Sequence, residues 1–180
     1  MIHHTLRRAG ALALLAVVVA LAGCASPANR DAMTTTSVAS SKKLPFSVSV
    51  KTGGGSETNP LWSADISDDD LRAAIEKSIT QTALFKEVVK GKTGDYELSV
   101  SIVKLSKPTF GAAFTVDMEA GWSLVKLSDN SVAMRRVVKS TYTGGAFDSL
   151  VGTTRLRMAV EGAARNNIKQ GLEAVSALNL

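Results

Sequence analysis

The sequence predicts an α+β domain: a two-layer β-α-β-β-β-α sandwich, in which a four-stranded mixed sheet carries two helices on one face. Three observations point there. Four short segments alternate apolar and polar residues, as half-buried strands do. Two longer segments repeat apolar residues at helical spacing. Their order leaves one sheet face for the helices and the other for water.

Phe46-Ser-Val-Ser-Val50 alternates and forms the first strand. Residues 51–66, with Gly53-Gly54-Gly55 and Thr58-Asn59-Pro60-Leu61-Trp62, read as a long loop. Ser67-Asp68-Asp69-Asp70 opens a helix. The Ser67 hydroxyl can cap a free backbone N–H, Asp70 stands at the capping-box position, and the acids suit the positive end of the dipole. Leu71, Ala74, Ile75, Ser78, Ile79 and Thr82 share one face, and the helix is expected to end near Leu84-Phe85. Val88-Val89 is either a short extension of the sheet or a packed connection.

A turn at 91–94 leads to Tyr96, Leu98, Val100 and Ile102 on alternate positions, the second strand. Phe114, Val116, Met118, Ala120, Trp122 and Leu124 alternate with polar residues that include Asp117 and Glu119, the third. Ser128-Asp129-Asn130 turns the chain into a fourth strand, Val132–Tyr142, whose period Arg135-Arg136 interrupts. Thr154–Leu178 is a long helix with Leu156, Val160, Ala163, Asn167, Gly171, Val175 and Leu178 along its inner stripe.

Strand directions follow from connectivity. A βαβ crossover makes the second strand parallel to the first. Hairpins then send the third strand down and the fourth up. The loops 51–66, 105–113 and 143–153 therefore share the upper end, and each carries large apolar residues: Trp62, Phe110, and Phe147 with Leu150. Clustered exposed apolar groups mark a recognition surface. The alternative is that these side chains fold back to cap the core.

The N-terminus carries an address. Met1–Arg8 ends in Arg7-Arg8, and Ala11–Leu21 is an unbroken apolar run, too short for the roughly 20 residues a bilayer span needs. Leu21-Ala22-Gly23-Cys24 resembles the lipobox of bacterial lipoproteins, in which the cysteine thiol takes a diacylglyceryl group. Residues 1–23 are thus read as a signal peptide, with lipid attached at Cys24. Residues 24–43, rich in Ser, Thr and Ala, read as a flexible tether reaching about 25 Å. It would enter the domain of residues 44–180 at the lower end. By resemblance to enterobacterial lipoproteins, Ala25 after the cysteine implies the periplasmic face of the outer membrane.

Composition excludes much chemistry. His3 and His4 fall in the signal, and Cys24 is the only cysteine. Beyond Cys24 the chain therefore has no Ser-His-Asp or Cys-His nucleophile and no His/Cys zinc site. No catalytic, metal or cofactor residue is assigned. The formal charge of +5 falls to +3 without Arg7 and Arg8, too mild to argue nucleic acid. Gly91-Lys92-Thr93 resembles the end of a phosphate loop, but Lys86 stands where its first glycine is needed. Asp117 and Glu119 could act as a carboxylate pair; a solvated strand face is the plainer reading. Arg135, Arg136 and Lys139, with Arg155 and Arg157, could meet anionic envelope polymers or simply guard a sheet edge.

The lipobox, the Ser/Thr tether, Leu71-Arg-Ala-Ala-Ile75 with Leu84-Phe85, and Asp95-Tyr96-Glu97-Leu98-Ser99-Val100 together resemble small outer-membrane lipoproteins. Ser140-Thr-Tyr-Thr-Gly-Gly-Ala-Phe147 before a long helix is most similar to the YajG type. Looser similarity runs to auxiliary lipoproteins of MCE-type ABC transporters and to the lipopolysaccharide-assembly lipoprotein. The auxiliary groups imply partner binding in envelope lipid traffic, while the YajG type implies no established activity; the expected function is a non-enzymatic protein, held to a membrane by acyl chains on Cys24, that binds or positions an envelope protein complex or a lipid. A carboxylate-dependent cell-wall or glycan hydrolase, and a structural lipoprotein or adhesin, are the alternatives.

Overall fold

The computed structural model describes residues 25–39, 42–58 and 64–180. Strands β1 (Leu44–Gly53), β2 (Phe85–Val89), β3 (Tyr96–Ser106), β4 (Phe114–Lys126) and β5 (Val132–Gly144) form one sheet in the order β2-β1-β3-β4-β5. The helices are α1 (Arg30–Met33), α2 (Asp68–Thr82) and α3 (Gly152–Ser176). Strands β2 and β3 both run parallel to β1, and β4 and β5 continue antiparallel. The α+β class and the crossover direction are as expected; the strand count is not.

The fifth strand settles the alternatives at Val88-Val89. The Ser67 hydroxyl caps α2 by accepting the Asp70 N–H at 3.1 Å. Ala83, in the left-handed region (φ 49°), closes the helix. Leu84 then accepts the Leu44 N–H at 2.7 Å, so the chain joins β1 within two residues. A five-residue parallel edge strand has one neighbour, which leaves Lys86 and Glu87 exposed and hides its alternation.

Because β2 and β3 flank β1, residues 90–95 must cross it. They cross where Val48 pairs with Val88 on one side and Tyr96 on the other. Gly94 passes so close that a Cβ there would stand 3.2 Å from the Tyr96 carbonyl and 3.3 Å from the Ser49 nitrogen. Asp95 locks the crossing: its carboxylate accepts the Ser47 backbone N–H and hydroxyl, both at 2.7 Å. These hydrogen bonds hold the Asp95 carboxyl below its ordinary range. A depressed carboxylate stabilises the fold above its unfolded pKa, and that contribution is lost as pH falls through the folded value. The denaturant midpoint of Asp95→Ala should lie below wild type at neutral pH. The gap should close on acidification below about pH 4; a gap independent of pH would remove this role.

In-register rows cross the sheet on its helix side: Val50, Leu98, Leu124 and Met134 form one, Ile102, Ala120 and Val138 another. Helix α3 lies on β4 and β5, and α2 on β1 and β2. The fully buried Trp122 reaches into α3, where its indole N–H donates to Asn167 Oδ1 at 3.0 Å. The Asn167 amide donates in turn to the Val138 carbonyl at 2.9 Å. Asn167 is thus the polar member of an apolar stripe because the indole needs an acceptor.

The flexible tether expected over 24–43 is overturned across residues 25–39. Ala25, Ala28, Met33, Thr34 and Thr35 are buried, Met33 completely. Helix α1 packs between α2 and α3. Two polar side chains buried on those helices receive it: Glu161 accepts the Asn29 N–H at 2.9 Å and Ser78 accepts the Thr35 N–H at 3.0 Å. Arg165 donates to the Ala32 carbonyl at 2.9 Å, and Glu173 accepts the Ala39 N–H at 3.1 Å. The segment is a strap, running along α3 in α3's own direction.

Candidate functional site

Strands β1, β3 and β5 all finish at the upper end of the sheet, so the segments that follow Gly53, Ser106 and Gly144 start together there. They are tied to one another and to the fold. Lys107, just past β3, forms an ion pair with Asp65 of the first loop and donates to the Ala64 carbonyl at 3.0 Å. Arg155, in the first turn of α3, lies 5.8 Å from the centre of the Phe114 ring and donates to the Ser149 carbonyl.

The loop after β5 is built as a closed turn. The Asp148 N–H donates to the Gly145 carbonyl at 3.3 Å, and the Asp148 carboxylate accepts the Gly145 N–H at 2.7 Å. The Ser149 hydroxyl accepts the Val151 N–H at 3.1 Å. This turn holds Phe147 at its tip. Phe147 and Leu150 are wholly exposed, and Phe110 in the neighbouring loop is 89% exposed. These three side chains do not fold back onto the core. Trp62, the fourth residue expected in this rim, lies outside the described residues, as does Cys24.

The strap brings the first described residues to the same end. The Ala28 N–H donates to the Asp65 carbonyl in the upper loop at 3.2 Å. From there the strap passes Asn29 at Glu161, Thr35 at Ser78 and Ala39 at Glu173, and Lys42 donates to Asn179 at 3.1 Å beside the lower end. Strand β1 is indeed entered from below. The segment that follows Cys24, however, starts at the top, contrary to expectation. The signal for this path was in the sequence as two misfits: Ser78 inside the apolar stripe of α2, and Glu161 among the small residues of α3.

The other candidates separate. On the outer face Asp117 accepts the Thr141 hydroxyl at 2.6 Å, and Glu119 pairs with Lys139 at 3.1 Å, both on the neighbouring strand β5. Arg135 and Arg136 are exposed on β5, an edge strand. Arg155 and Arg157 belong to α3, where Arg157 lies 3.5 Å from Glu161. The five cations thus do not make one patch. A groove of about 710 Å³ opens where β1 outruns β2. It is polar, and its walls are partly neutralised by the ion pairs Arg30–Asp70 at 3.1 Å and Arg72–Asp69 at 2.6 Å. Among the described residues, no helix is long and apolar enough to cross a membrane.

No protein-family model matches the sequence, and no curated protein matches it. Solved structures with a similar fold do exist. Protein XCC0632 of Xanthomonas campestris, of the family DUF330, aligns with a TM-score of 0.56 at 13% identity, over 86% of this chain and 90% of its own. Protein CT253 of Chlamydia trachomatis aligns at 0.54 and 6% identity, over 73% and 96%. PelC of Paraburkholderia phytofirmans, a dodecamer, aligns at 0.50 and 12% identity, over 80% and 96%. Structures of lower similarity include chains named as lipoproteins. At such identities the likeness is one of fold.

Proposed function

We propose that the chain is a lipid-anchored, non-enzymatic protein of the cell envelope that positions a partner protein or a lipid at the periplasmic face of the outer membrane. The observation that carries this reading is the junction at residue 24. A signal-peptide pattern and Leu21-Ala22-Gly23-Cys24 end four residues before Ala28, which belongs to the core. Two acyl chains on Cys24 hold a protein stably where one does not. The YajG-like layout is consistent with that role and carries no catalytic set. Asp117 and Glu119, the pair a hydrolase would use, are engaged by Thr141 and Lys139 on an open strand face.

Metabolic labelling with palmitate in a bacterial host tests the anchor. The full chain should take up label and sediment with outer membranes. Cys24→Ser should take up none and lose its signal-peptide cleavage. An unlabelled wild-type chain would end the anchor reading. Glycan cleavage by the purified protein, abolished in Asp117→Asn, would instead establish the hydrolase alternative.

A further inference from the structure

We infer that the upper rim, Phe110, Phe147 and Leu150, is the face the domain lays on the bilayer that anchors it. The inference rests on the lipid anchor proposed at Cys24 and adds its geometry.

Little chain separates the cysteine from the fold. Adjacent Cα atoms lie about 3.8 Å apart. Ala28 belongs to the core and its N–H donates to the Asp65 carbonyl, so the fold takes hold four residues after the acyl-bearing one, about 14 Å of extended chain. The domain cannot stand off from the membrane as a freely tethered one would. Some part of its own surface must lie at the headgroups, and that part is where residue 25 emerges.

The strap fixes that place. Asn29 bonds to Glu161, nine residues below the start of α3 at Gly152. At about 1.5 Å per residue this is about 13 Å of helix. Four extended residues, Asn29 back to Ala25, span about the same length. The Ala28 bond to Asp65 shows that they run towards the upper loops. The described chain, whose first residue follows Cys24 in sequence, therefore begins toward the end that carries Phe110, Phe147 and Leu150.

The rim has the chemistry of an interfacial surface. Its apolar side chains stand on two loops, Phe110 on one and Phe147 and Leu150 on the other, and are almost fully exposed to water. The turn at 145–148, closed by Asp148, holds Phe147 outward before any contact is made. Apolar groups presented in this way settle about 5–10 Å into the headgroup and acyl boundary. Shallow insertion of three side chains is weak alone, but the acyl chains already hold the rim at the surface, which makes the second contact intramolecular.

The test uses the full lipidated chain in phosphatidylethanolamine–phosphatidylglycerol vesicles. Acylation of Cys24 leaves an introduced cysteine as the one free thiol, because the sequence has no other. Phe110→Cys, Phe147→Cys and Leu150→Cys each receive an environment-sensitive nitrobenzoxadiazole label. Ser128→Cys, in the exposed turn between β4 and β5 at the lower end, serves as control. All four sites are exposed, so the substitutions leave the core untouched. On vesicles, the three rim labels should shift to the blue, lose quenching by aqueous iodide and gain quenching by doxyl lipids. The Ser128 label should do none of these. Rim labels as open to iodide as the Ser128 label, on protein that floats with the vesicles, would overturn the docking face and leave the anchor standing. Protein that carries no acyl chain and does not float would overturn both.

Discussion

Gly171→Ala should destabilise the protein by about 3 kcal/mol, although alanine is the better helix former. A Cβ at Gly171 would stand 2.3 Å from Cζ2 of the Trp122 ring, well inside contact distance. The ring cannot easily turn away, since it is 1% exposed and its N–H is committed to Asn167. Overpacking costs about 1–3 kcal/mol, and orphaning the indole N–H or Asn167 about 1–3 more. The gain in helix propensity offsets about 1. Trp122→Ala should cost about 3–5 kcal/mol by leaving the notch empty. The double variant Gly171→Ala, Trp122→Phe should be more stable than the sum of its singles, because the smaller ring yields the space the methyl needs. Urea unfolding followed by far-ultraviolet circular dichroism measures all four. Additive losses would show that helix and indole do not share this contact.

Met33→Ala should cost about 2–5 kcal/mol, as deletion of a fully buried side chain does. A residue in a flexible tether would change stability by no more than about 0.5 kcal/mol. The two expectations are far enough apart for one denaturation curve to separate them. The strap's apolar content is small, so the loss of its one large side chain should be felt along its length. Hydrogen exchange should rise at the amides of Asn29 and Thr35, which donate to Glu161 and Ser78. A near-neutral Met33→Ala would return the segment to the status of a linker and loosen the geometry of the anchor with it.

The elements legible in the sequence are those with a periodic apolar face or a cap. Strand β4 alternates through Trp122 and Leu124, α2 announces itself at Ser67, and α3 carries a stripe that includes Asn167 and Gly171. The directions of β1, β3, β4 and β5 followed from those, and so did the gathering of Phe110, Phe147 and Leu150 at one end. What escaped has little side-chain periodicity to read. Strand β2 is five residues on an edge. The strap is held by backbone N–H groups that bond to Glu161 and Ser78, and it buries small residues around a single methionine. Composition alone makes such a segment look disordered. Its partners, a serine and a glutamate out of place on apolar helix faces, were visible only as polar residues in search of an acceptor or donor.

The strap also has a consequence in time. Asn29, Ala39 and Lys42 make hydrogen bonds to residues 132 to 137 positions further along the chain. Contacts of such separation form late, because loop closure must precede any reward from them. The strap residues cannot take their places until α3, made more than a hundred residues later, is present. Until then the strap's place on α3 is empty, which is the period in which the signal peptide proposed for residues 1–23 would be recognised, threaded and cut. The strap thus makes the completion of this fold wait for α3, an order that suits the export proposed above.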